Sequence, residues 1–240
     1  MTIHHRLQPL IRKFDGIAAL SASDRAAIQA VPYTLRVATP SAYLMREGEP
    51  TANCSILLTG LAYRQKLAGD GGRAILSIHL PGDALDLQNL FVDVADHNVQ
   101  MLTHGELAVV PRAAMLALLD HCPALARAVT IDLSLDASIQ REWLLNIGRR
   151  GARPRLAHLL CEVAARLDAR RLGSGDGYSL PMTQEQLGDA LGLTSVHVNR
   201  TIKSLELDGL IRRAGHLFQI LDLPGLRAVG DYGGLYLHQD

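Results

Sequence analysis

The spacing of apolar residues changes from one stretch of this chain to the next, and each change marks a different kind of element. Between residues 6 and 30, Leu7, Leu10, Ile11 and Phe14, then Leu20, Ala27 and Ile28, recur at helical intervals, with SASD at 21–24 supplying a cap for a second helix. From Tyr33 to Val110 the texture is short β-forming runs (LRVA, YLMR, CSILLTG, AYRQKL, AILSIHL, NVQML, ELAVVP) separated by turn residues such as GEP, PGD and VADH. GDGG at 69–72 falls between two such runs and predicts a hairpin. Helical spacing returns at Arg112. After Pro123 it splits into two stripes, Val129, Leu133, Ala137, Gln140, Leu144 and Ile147 on one side, and Ile131, Leu135, Ile139 and Trp143 nearly opposite. A long helix apolar on two sides must bury both. One side is expected to pack on the β-rich part and the first stripe to form a two-fold seam with a second copy.

Gly148-Arg149-Arg150-Gly151 predicts a hinge around a solvated basic pair, followed by a helix with Leu156, Leu159, Leu160, Val163 and Leu167 inward. LGSGDGYS then reads as a polar linker. Beyond it, TQEQLGDALGLTSVHVNRTIKSLELDGL (183–210) has the spacing of a helix-turn-helix. Leu187, Leu191, Leu193, Val198, Ile202 and Leu205 lie at helical intervals on either side of Gly192, a residue suited to a left-handed turn. Gly188 leaves room where two helices cross. Thr183 and Thr194 stand at cap positions, the former with Gln186 in a capping box. Ser195, Val196, His197, Asn199, Arg200 and Lys203 remain on the second helix, the residue types that read base edges in a major groove. LIRRAGHLFQILD predicts two short strands about a glycine, a wing.

Composition adds limits. Of 240 residues 48% are apolar and only 4% aromatic, enough for a large aliphatic core. Net charge is zero, yet residues 1–148 hold 12 Lys+Arg against 14 Asp+Glu while 149–213 hold 11 against 7. The basic excess thus lies around the expected reading helix, where phosphate contact needs it. Cys54, Cys122 and Cys161 are too scattered for a disulfide framework or a zinc site and are expected as buried thiols in a reducing, cytoplasmic protein. A single-thiol redox role for Cys54 is the alternative. No run of 18 apolar residues predicts a membrane span.

Taken in order, these elements resemble the Crp/Fnr family of bacterial transcription regulators over residues 10–225. The signatures REGEP, ILLTG and LPGD and the stretch PMTQEQLGDALGLTSVHVNRTIKSLELDGLI carry the resemblance. It implies an α+β chain: an antiparallel β-roll (a jelly roll, or double-stranded β-helix) sensing an effector at 1–117, a dimerisation helix at 118–148, and a winged helix-turn-helix at 149–240. It also implies a homodimer on double-stranded DNA with a palindromic site, and RNA polymerase as a further partner, acting as activator or repressor. Base-reading positions fall on Ser195, Val196, Asn199 and Arg200, with His197 beside them. Thr183, Thr194, Lys203, Arg212, Arg213 and His216 are phosphate-contact candidates. Arg200 matches the family's guanine-reading arginine, whereas Val196 replaces a glutamate common in the family.

The effector positions depart from the family. Asp83 is retained, but Asp86 and Leu87 stand where cyclic-nucleotide binders carry Gly-Glu, and Ala95 and Asp96 where they carry Arg and Ser or Thr. Losing the guanidinium that pairs with a cyclic phosphate, and adding an aspartate, argues against a cyclic nucleotide. Iron–sulfur chemistry lacks its cluster of N-terminal cysteines, and His79, His97 and His104 are lone residues that give no haem or metal signature. No cofactor is therefore expected. The same three histidines lack the HxH grouping of a cupin-like enzyme, so no catalytic residue is assigned. A winged helix docking on a protein, or an effector-independent DNA-binding regulator, is the remaining alternative.

Overall fold

The computed structural model describes residues 6–172 and 177–238. Contacts divide the chain into two units, residues 1–66 with 77–136, and 67–76 with 137–240. The first opens with two short helices, α1 (Gln8–Asp15) and α2 (Ala22–Ala30), the latter capped by Ser21 and Asp24 in a reciprocal capping box. Seven strands follow where the alternating runs predict them: β1 (Thr34–Ala38), β2 (Tyr43–Met45), β3 (Asn53–Leu57), β4 (Ala62–Leu67), β5 (Arg73–His79), β6 (Asn98–Met101) and β7 (Gly105–Pro111). They form two sheets, in the orders β1-β7-β3 and β2-β6-β4-β5.

Successive residues of a strand point to opposite faces, and in β3 and β7 both faces are covered. Ile56 pairs with Ala108 and Leu57 with Leu107. Ile56 and Ala108 join a core with Phe14, Ile28 and Leu125, while Leu57 and Leu107 join a second core with Ala62, Val99 and Met101. Strands covered on both faces read as unbroken apolar runs, which is why CSILL and LAVV do not alternate. The helices α3 (Arg112–His121) and α4 (Pro123–Arg149) follow. Val129 is 2% exposed inside the first core and Leu133 packs against it. These two expected seam residues are therefore held within their own roll.

The second unit is built on α5 (Ala152–Ala169), with α6 (Gln184–Leu191), α7 (Ser195–Leu207) and α8 (Leu223–Gly230). Part of the expected linker is instead a strand, β8 (Tyr178–Ser179), which pairs with β10 (Leu217–Ile220); β10 also pairs with β9 (Ile211–Ala214). The rest of that linker, residues 173–176, lies outside the described residues. The helix break falls within the expected hinge, at Arg150 and Gly151, since α4 continues through Gly148 and Arg149. Arg150 is not solvated. Its side chain is 9% exposed, pairing with Glu142 at 2.7 Å and Asp231 at 3.0 Å. Trp143, expected opposite the seam, is buried, and its indole N–H donates to both oxygens of Glu162 on α5.

Candidate nucleic-acid interface

Local chemistry sets the geometry of α6 and α7. Thr183 Oγ1 accepts from Gln186 N at 3.1 Å while Gln186 Oε1 accepts from Thr183 N at 2.9 Å, closing the capping box. Thr194 Oγ1 accepts from His197 N at 3.3 Å and caps α7. Gly192 adopts φ +63°, a left-handed C-cap whose N–H returns to Gly188 O. Gly188 is required for a different reason: a Cβ there would lie 2.4 Å from Leu193 O. The close approach is thus to the turn rather than to the second helix.

Four residues of α7 face inward, namely Val198, Thr201, Ile202 and Leu205. That leaves Val196, Asn199, Arg200 and Lys203 along the opposite side at three- and four-residue steps. Ser195, Val196, His197, Arg200 and Lys203 are exposed, Val196 by 69%, and Asn199 is half-buried. The structure therefore brings all five expected base-reading residues to the accessible start of one helix. Around them lie the exposed caps Thr183 and Thr194 and, in the wing, Arg212 and His216. Arg213 differs: its backbone N–H donates to Glu206 Oε1 and its Nε to Gly215 O, with the guanidinium 5.3 Å from the Phe218 ring centre. It holds the wing together.

The basic excess of residues 149–213 is only partly on this surface. Arg150, Arg153 and Arg166 are paired with carboxylates of the same unit, and Arg155 is engaged with backbone carbonyls. Counting charges could not separate these from residues free to meet phosphate. Asp189, on α6, is paired with Arg73 at 2.6 Å.

The residues expected to mark an altered effector pocket do not converge. Asp83 accepts from Leu80 N and from Lys13 Nζ at 2.8 Å, and Lys13 also reaches Asp132 of α4. Asp86 is buried and accepts from Ser55 N at 3.0 Å; burial pushes its carboxyl up to about 6 despite that bond. Leu87 is in the core and Ala95 is buried. Asp96 points outward, its carboxyl 80% exposed and held below the usual range by a 2.6 Å bond to His97 Nδ1. An aspartate facing the pocket is therefore corrected. A guanidinium does face the roll interior, but from β4: Arg64, whose Nη1 donates to Asp136 Oδ2 at 2.7 Å. Nothing in the spacing of AYRQKL distinguishes it from a surface arginine. Cys54 is fully buried, and desolvation, with Asp86 beside it, raises its thiol well above the ordinary value.

A second cluster had no sequence signal. Residues 231–238, beyond α8, fold back on α5. Tyr236 Oη lies 3.0 Å from His158 Nε2 and 2.9 Å from Glu162 Oε2, and His158 Nδ1 lies 3.0 Å from Gly230 O.

Comparison with known proteins supports both halves of the description. A family model described as the Crp-like helix-turn-helix domain matches residues 154–229, and one described as the cyclic nucleotide-binding domain matches residues 35–122. The nitrogen fixation regulation protein FixK of Bradyrhizobium diazoefficiens is 32% identical, covering 69% of this chain and 68% of that protein. The transcriptional activatory protein AadR of Rhodopseudomonas palustris is 30% identical over 72% and 71%. The transcriptional activator FnrL of Cereibacter sphaeroides is 29% identical, the match spanning 66% of this chain and 64% of FnrL. Among solved structures, FixK2 of Bradyrhizobium japonicum has the same fold, with a TM-score of 0.74, 23% identity and 83% and 98% coverage.

Proposed function

The chain belongs to the Crp/Fnr family of transcription regulators, and on that premise we propose that it binds a palindromic promoter site as a homodimer, α7 of each copy entering the major groove. The observation that carries this is the exposed face of α7, where Arg200, Asn199 and Ser195 accompany an open Val196. Arg200 takes guanine O6 and N7 through its fork, a contact that contributes about 1–3 kcal/mol of discrimination. The methyls of Val196 lie against a thymine methyl, so the half-site differs from those read through a glutamate. Thr183 and Thr194 accept backbone N–H bonds at their oxygens, which leaves each hydroxyl proton to donate to a phosphate. Lys203, Arg212 and His216 add charge around them.

The test is selection of bound duplexes from a random pool, then titration of variants on the selected and a scrambled duplex at two salt concentrations. Arg200→Ala should weaken the selected site by about 1–3 kcal/mol and relax one position per half-site. Lys203→Ala should weaken both duplexes alike and reduce the salt slope by about one. Equal weakening of both duplexes by Arg200→Ala would remove α7 from the reading role.

The roll carries the signal, and its effector is not a cyclic nucleotide. Asp83 and Asp86 already have protein partners, Leu87 is core, and Arg64 is paired with Asp136. Arg64 Nε and Asn89 Oδ1 are buried without a hydrogen-bond partner. That favours a polar effector over an effector-independent regulator, because such groups are costly to leave unpaired. Calorimetry with cyclic AMP and cyclic GMP should show no micromolar binding.

A further inference from the structure

We infer that Arg155, in the first turn of α5, is a positioning residue for DNA reading, its guanidinium joining the end of α4 to the turn between α6 and α7. This rests on the role proposed above for α7. Backbone carbonyls from two places converge on the one side chain. Arg155 Nε donates to Arg150 O at 2.8 Å, and Nη1 donates to Leu191 O at 2.8 Å and to Gly192 O at 3.4 Å. Carbonyls at helix C-termini lack intrahelical partners and carry the negative end of the helix dipole. Arg150 follows the last residue of α4, Leu191 is the last of α6, and Gly192 is its left-handed cap. One cation thus serves two helix ends.

The backbone of Arg155 is anchored on the same side. Its N–H donates to Gly151 O at 3.0 Å, and its carbonyl accepts from Asn146 Nδ2 of α4 at 3.3 Å. The end of α4 also lies close to the turn: a Cβ placed on Gly192 would lie 3.5 Å from Ile147 Cγ2 and 3.3 Å from Arg155 Nη1. Arg150, in turn, is fixed by Glu142 and Asp231. The turn at Gly192 is followed within three residues by Ser195, the first of α7. A shift of Arg150 O therefore carries through Arg155 to the turn that sets the angle of the reading helix. Arginine suits this task because two nitrogens of one rigid group address different acceptors. A lysine offers a single nitrogen and keeps only one of the two ends.

The experiment uses the full chain, the duplex that wild-type protein selects from a random pool, and a scrambled duplex. Arg155→Met keeps the length of the stem and removes every donor. It should weaken the selected duplex about 10- to 100-fold and the scrambled one less than about threefold, with an unchanged salt slope. The loss should be spread over every position of the half-site, unlike the single-position loss of Arg200→Ala. Arg155→Lys should fall between Arg155→Met and wild type. The proposal is overturned if Arg155→Met binds the selected duplex within about twofold of wild type, or if both duplexes weaken together and the salt slope drops by about one, the signature of a phosphate contact. Should Arg155→Met fail to fold, Arg155→Lys decides: reduced discrimination at an unchanged melting temperature supports the role, and wild-type discrimination overturns it. If wild-type protein selects no sequence at all, the role of α7 itself falls and this inference with it.

Discussion

Asp86 is a residue whose surroundings move its titration into the range between about pH 4 and 7. The residue is 6% exposed, and its carboxyl accepts from Ser55 N and sits beside the buried Cys54 thiol. Burial raises its pKa from 3.8 to about 6, while Ser55 N–H, Cys54 and Arg64 pull the other way. A raised carboxyl pKa means that the native state holds a proton which the unfolded chain has already lost between about pH 4 and 6. Its stabilising effect is complete below about pH 4 and is lost as pH rises through 6, a difference of at most about 3 kcal/mol. Asp86→Asn keeps an acceptor for Ser55 N and cannot titrate. Urea midpoints of that variant from pH 4 to 7 should fall less steeply than those of wild type, and an identical slope would show that Asp86 ionises normally. The sequence places Asp86 in the roll, but this property depends on Cys54 and Arg64, 32 and 22 positions away.

Elements differ in how openly they are written. α6 and α7 were legible because their signals are local: a capping box within four residues, a glycine turn, and apolar spacing over less than 30 positions. The β-runs were legible for the same reason, each bounded by its own turns. α4 was legible as a helix but not in its inward face, because two apolar stripes allow two assignments, and only packing decides which is inside. Val129 and Leu133 go to the roll core, Trp143 goes to Glu162, and Gln140 donates to Leu76 O. The tail beyond α8 was invisible, since Glu162 and Tyr236 meet across 74 positions. Its contribution can be measured. Tyr236→Phe removes the hydroxyl set between His158 and Glu162, leaving the buried carboxylate with Trp143 and Arg166, and should cost about 1–3 kcal/mol in urea unfolding. Leu235→Ala, at a neighbour 75% exposed, should stay within about 0.5 kcal/mol of wild type. Equal effects of the two would mean that the tail is held by its bulk rather than by this hydroxyl.

For the whole molecule, the order of the parts is legible in the sequence, and the surface that joins two copies is expected there along the stripe from Val129 to Ile147. Among the expected seam residues, Ala137, Leu144 and Ile147 are exposed, Leu144 by 74%, with Leu145 beside it at 45%. Large aliphatic side chains so open at the C-terminal end of α4 lose free energy to water in a lone chain and gain it when a second copy covers them. The seam is therefore expected to lie toward residues 137–147 rather than along the whole helix. Leu144→Asp tests this without disturbing either core, because the side chain buries little within its own chain. Light scattering at low micromolar concentration should give a dimer for wild type and a monomer for the variant, with melting temperatures compared at the same protein concentration. Two copies joined there would address half-sites about one helical turn apart, roughly 34–36 Å centre to centre. The monomeric variant should then lose the selected palindrome far more than a single half-site duplex, since only the palindrome uses both reading helices. A Leu144→Asp protein that remains dimeric and keeps its preference for the palindrome would place the seam elsewhere on α4.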